Sequence, residues 1–208
     1  WDEEARRYYY NIVGKYGMPV QTLLKKAATL EISMICPLHG PILKENLGHY
    51  IEKYRIWSSY QPEEHGILIA YASIHGNTAK AAEQLADELI RAGETVAITD
   101  LARDDLAEAI ANAFRYDRMV LASASYDGGV FPPMEDFLLH LKAKMYQNRK
   151  VALIENGSWA PSAKRVMLSY LEPMKNITVL EPTVTIRSTV QPETEAKLQE
   201  LADAVQNA

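Results

Sequence analysis

Three short stretches gather hydroxyl-bearing, glycine and aromatic residues in a pattern suited to holding a ligand. The first is Ser73-Ile74-His75-Gly76-Asn77-Thr78, between an apolar run and an amphipathic one. Backbone N–H groups that open a helix lack partners and carry partial positive charge. Gly76 lets the backbone approach a ligand closely, and Ser73, Asn77 and Thr78 add short side-chain donors. Together they form a nest for a phosphate monoester. The same turn also reads as a plain helix start capped by Asn77 or Thr78. The second stretch, Ser125-Tyr126-Asp127-Gly128-Gly129, sets an aromatic beside a Gly-Gly turn. There Tyr126 can stack on a planar ring and exposed backbone can bond its edge, or the loop can simply end a strand. The third, Asn156-Gly157-Ser158-Trp159-Ala160, repeats the theme, with Trp159 as a stacking partner or a surface packing residue. Taken together, the three describe a site for a phosphate and a flat, hydrogen-bonded ring.

The elements that must position these loops follow from periodicity. "ILIAYAS", "TVAITD", "MVLASAS", "KVALIENG" and "ITVL", the last continuing into "TVTIR", read as five strands. Continuous apolar runs of this kind mark strands covered on both faces of a parallel sheet. Between them lie helical patterns. One places Ala79, Ala82, Leu85, Ala86 and Leu89 on a single face, and the last, "PETEAKLQELADAV", does so with Leu198, Leu201, Ala202 and Val205. Regular alternation predicts an α/β, doubly wound parallel sheet with right-handed crossovers. Ligands of such sheets bind beyond the carboxyl ends of the strands, where all three loops fall.

Residues 1–65 differ. "DEEARRYYYNIVGKYG" predicts a helix closing at Gly17, and "PVQTLLKKAATL" a second with Val20, Leu23, Leu24 and Ala27 on one face. "ISMIC" reads as a short buried strand, "PLHGP" as a turn and "ENLGHYIEKYRIWSSY" as a further helix. So short a segment can hardly close its own core. It is expected to be the end of a larger domain, with residues 66–208 forming a second one. Trp1 in place of an initiator methionine fits a piece of a longer product.

The net charge of −5 argues against nucleic acid as the main partner. No apolar run reaches the roughly 18 residues of a spanning helix, so no membrane role is expected. The single cysteine, Cys36, excludes an intrachain disulfide and fits a reducing, cytoplasmic setting. No G-x-G-x-x-G follows the first strand, against a dinucleotide fold. Ala72-Ser73 and Ser123-Ala124-Ser125 close the first and third strands without the acids a phosphorylation receiver needs.

"YASIHGNT", "SASYDGG" and "ENGSWAP" together resemble the flavodoxin family, in which such loops hold FMN. The resemblance implies a five-stranded flavodoxin-like sheet of order 2-1-3-4-5. It assigns the phosphate to residues 73–78 and the ring to residues 125–129 and 156–160. His75 stands where many flavodoxins carry threonine, which leaves that position a backbone role. "EARRYYYNIVGKYGMPVQTLLKKAA" with "ICPLHGPIL" resembles the end of the metallo-β-lactamase-like domain of flavodiiron proteins. That resemblance implies an oxidoreductase in which FMN delivers electrons to a diiron centre reducing dioxygen or nitric oxide. It makes His39 the last iron-ligating histidine of an upstream diiron domain whose other ligands this sequence lacks. It also implies a rubredoxin or similar electron donor and a head-to-tail homodimer. On this reading the chain by itself performs electron transfer only. The alternatives are a stand-alone flavodoxin-like carrier and an NAD(P)H:quinone reductase, in which the first 65 residues have no role.

Overall fold

The computed structural model describes residues Trp1–Ala208. Strand β1 (Glu64–Ala72) is an interior strand of the sheet, with Ile67, Leu68, Ile69 and Ala70 fully buried. It is followed in alternation by α4 (Asn77–Arg91), β2 (Val96–Asp100), α5 (Leu106–Arg115), β3 (Tyr116–Tyr126), β4 (Gly129–Val130) and α6 (Pro132–Ala143). Then come β5 (Arg149–Asn156), α7 (Ala163–Leu171), β6 (Ile177–Val179), β7 (Val184–Ile186) and α8 (Pro192–Gln206). Helices α1 (Asp2–Tyr8), α2 (Gly17–Ala27) and α3 (Leu47–Ser58) precede them.

The sheet order is β2-β1-β3-β5-β6, all parallel, with β7 also on β5. This is the expected 2-1-3-4-5 winding, with two differences. The last strand comes in two pieces: the ladder carries on through the Leu180 N–H to the Val151 carbonyl, then breaks at Pro182, which has no N–H to donate. A short hairpin strand, β4, pairs antiparallel with the end of β3. Helices α4 and α8 cover one face; Leu198, Leu201, Ala202 and Val205 lie against it, as their spacing predicts. On α4 the buried positions are Thr78, Ala81, Ala82, Leu85, Ala86 and Leu89, while Ala79 is only half-buried.

The other face is covered by α5, α6, α7 and the start of the chain. Ala5, Tyr9, Tyr10 and Trp57 belong to the same core as Leu68, Met119 and Phe114, and Tyr10 stacks on Phe114 at 4.3 Å. Each large side chain so buried contributes roughly 2–3 kcal/mol. A charged cluster joins the same parts: the Arg6 guanidinium donates twice to the Glu63 carboxylate, at 2.6 and 3.0 Å. Lys53 and the Trp57 indole N–H complete that carboxylate's shell.

Two expectations for the first residues need correction. The opening helix does not close at Gly17: it passes through a π-helical stretch, Tyr9–Val13, and a 3-10 turn, Gly14–Tyr16, and α2 begins at Gly17. Gly17 serves close approach instead, because a Cβ there would collide with the Ser58 carbonyl and the Tyr60 ring. "ISMIC" forms no buried strand. It makes one bridge, Ile35 to Leu43, and its residues are exposed or half-exposed, since no sheet edge lies beside it. On α2, Val20, Leu24 and Ala27 are half-buried, but Leu23 is exposed. No helix is long and apolar enough to cross a membrane.

Candidate functional site

Strand register brings the three loops to one edge. Ala72 lies beside Ser123, Ser123 beside Glu155, and Ala124 beside Asn156. Ser73, Ser125 and Gly157 therefore leave three adjacent strands at nearly the same height.

The first loop is shaped by Ser73, whose buried hydroxyl accepts the Gly76 N–H at 3.1 Å. Gly76 has φ +85° and open space where a Cβ would stand, so glycine answers a backbone need there. It is the residue that precedes α4, and no side chain caps that helix. The capping role open to Asn77 and Thr78 is thus not taken up. Thr78 is buried, while Ile74 and His75 are exposed. Nor does α4 carry an acid in its first turn. Its neighbours differ: Asp105 caps α5, and the first N–H groups of α7 go to the Ser125 hydroxyl and the Glu155 carboxylate. Of these three helix starts, α4 keeps its positive end open towards an anion.

The second loop is a two-residue hairpin. Tyr126 pairs with Gly129, and the turn is Asp127-Gly128, with φ of +47° and +70°, rather than Gly-Gly. Positive φ at both positions is the turn that suits a hairpin's twist. Tyr126 is 47% exposed, its ring 6.0 Å from Phe131. The loop is tied to α7: Ser162 donates its hydroxyl to the Gly129 carbonyl at 2.7 Å, and Arg165 Nη2 donates to the Gly128 carbonyl at 3.1 Å.

In the third loop the Asn156 amide clasps the Ser188 backbone, donating to its carbonyl and accepting its N–H. Ser158 accepts a bond from the Ser188 hydroxyl. Gly157 allows close approach, since a Cβ would stand 2.8 Å from the Pro161 Cα. Ala160 is exposed, and Trp159 is 88% exposed, so it is not a packed surface residue.

Ser162, Arg165 and Ser188 were not marked by sequence patterns, and Glu155 only as the first residue of "ENGSWAP". Ser162 stood before an apolar helical run, which is a cap signal, but its actual partners lie in another loop. One cavity, about 890 Å³, lies between α7 and the edge strand β6, with Glu155, Pro161 and Arg165 in its lining. A second, about 560 Å³, is apolar and enclosed by α1, α2, α3 and residues 32–43. His39 lines it, 5.6 Å from the Tyr8 ring, and no group of three or more His, Cys, Asp or Glu gathers anywhere. These residues do not by themselves fit a diiron centre. The three loops do fit a phosphorylated flavin: an uncapped helix start for the phosphate and two exposed aromatics for the ring.

The flavodoxin domain family model matches residues 68–200. The chain is 28% identical over 195 residues to a nitric oxide reductase of Moorella thermoacetica, covering 89% of this chain and 47% of that one. It is 25% identical to the anaerobic nitric oxide reductase flavorubredoxin of Aeromonas hydrophila, covering 77% and 33%. Its fold matches rubredoxin oxygen:oxidoreductase of Desulfovibrio gigas with a TM-score of 0.89 at 20% identity, over 97% of this chain and 51% of that one. The chain belongs to the flavodoxin domain family. With its helical lead-in, it corresponds to the C-terminal part of flavodiiron proteins. It spans a third to a half of the length of the curated relatives it matches.

Proposed function

We propose that the chain binds FMN in the three loops and transfers electrons within a flavodiiron oxidoreductase. The observation that carries this reading is the α4 start, the one of the three helix starts compared that is left without a cap. Ser73, Gly76, Asn77 and Thr78, with the backbone of Ile74 and His75, would hold the phosphate. Tyr126 and Trp159 would face the ring, and the backbone of residues 127–129 and 157–160 would bond its edges. Ser125 and Asn156 would act by fixing the loops. FMN, when bound, takes and gives one or two electrons, which links single-electron donors to two-electron chemistry.

For the whole protein, the proposed activity is reduction of dioxygen or nitric oxide at a diiron centre in another part of it. His39 would join that centre as one ligand among others. A rubredoxin-type donor is supported by the names of the relatives, a head-to-tail homodimer by the family resemblance alone, and a cytoplasmic setting by the lone cysteine. The test is direct. The purified chain should be yellow, release FMN on denaturation and hold little iron. A colourless chain that takes up no FMN would overturn the reading.

A further inference from the structure

We propose that Arg165 sets the reduction potential of the flavin by keeping a positive charge against the Asp127-Gly128 turn; this rests on the flavin reading above. Arg165 lies in the first turn of α7, which is fastened to the hairpin through Ser125, Ser162 and Gly129. Its own bond, Nη2 to the Gly128 carbonyl at 3.1 Å, holds the guanidinium at the turn that follows Tyr126. Arg6, Arg103 and Arg118 each pair with a carboxylate, whereas the partner of Arg165 is a neutral carbonyl. It has no carboxylate in ion-pair contact, although Glu155 and Glu172 line the same cavity and Asp127 belongs to the turn it bonds.

A flavin that takes up two electrons and one proton gains one negative charge. A cation beside the ring favours that reduced form over the oxidised one, and so raises the potential. Because Arg165 is exposed, solvent and salt weaken the effect. Lysine would keep the charge but lose the flat fork of donors.

The test is a redox titration of the FMN-loaded chain with dithionite, at low and high salt, for the native protein, Arg165→Gln and Arg165→Lys. Dissociation constants for oxidised FMN are measured alongside. Arg165→Gln should bind oxidised FMN within about twofold of the native protein and prefer the reduced flavin about three- to tenfold less. Tenfold is about 30 mV for two electrons. The gap should shrink as the screening length falls from about 30 Å to about 3 Å. Arg165→Lys should stay near the native potential. An unchanged potential in Arg165→Gln, a shift indifferent to salt, or equal weakening of both flavin forms would overturn the proposal. A native chain that binds no FMN would instead remove the flavin reading beneath it.

Discussion

The hydroxyl of Ser125, at the end of β3, accepts the backbone N–H of Ser162 at 2.8 Å and that of Ala163 at 3.3 Å. One loop of the site thus caps the helix that begins after the next. Removing this cap with Ser125→Ala leaves two N–H groups without that acceptor. The expected cost is about 1–2 kcal/mol, or a fall of about 2–4 °C in melting temperature per kcal/mol. Calorimetry reads it, and an unchanged melting temperature would mean the cap adds nothing.

Thr78 is buried in the first turn of the uncapped helix α4. Thr78→Ala should weaken FMN by about tenfold or more, the loss of a hydrogen bond to a charged group, and riboflavin by much less. Titration calorimetry with both ligands decides the matter: equal losses would remove the phosphate from this loop.

Trp159 is 88% exposed, so Trp159→Ala should leave stability within about 0.5 kcal/mol. Flavin affinity should nonetheless fall and flavin fluorescence rise, because the indole is assigned to the ring. Tyr126→Ala should act in the same direction. Unaltered fluorescence titrations in both variants would show that neither residue meets the ring.

Burial pushes the Glu63 carboxyl upward, but the bonds from Arg6, Lys53 and Trp57 and the Arg6 charge hold it down at about 2. A carboxylate lowered on folding adds stability above its unfolded value, 4.5, and loses it as pH falls towards about 2. Acid unfolding should therefore steepen across that window. Glu63→Gln should flatten the profile there and lower stability at neutral pH by about 3–5 kcal/mol, since Arg6 stays buried. Urea unfolding at a series of pH values measures both.

Much of this was legible along the chain. Continuous apolar runs marked the strands and period-3.6 patterns the helices, because a parallel strand buried on both faces must be apolar throughout. The loops were legible because glycine, hydroxyl and aromatic residues cluster at strand ends. Less legible was Gly17, which resembles a helix stop but is there to let α2 approach the end of α3. "ISMIC" is apolar enough for a strand, yet strand formation needs an edge to pair with, and none lies beside it. The Asp127-Gly128 turn was masked by the second glycine, since only pairing shows which two residues form the turn.

By itself, then, the sequence determined the alternating fold, its two-sided core and the three loops at the strand ends, because local periodicity and turn chemistry are properties of neighbouring residues. Tertiary structure alone decided that the α7 start is closed and the α4 start is not. The α7 start is closed by Ser125 from another strand and by Glu155 from the strand before it, while the α4 start meets no such partner. It also decided that Arg165 reaches Gly128, thirty-seven positions away. Such pairings depend on strand register, which a pattern along one chain does not encode.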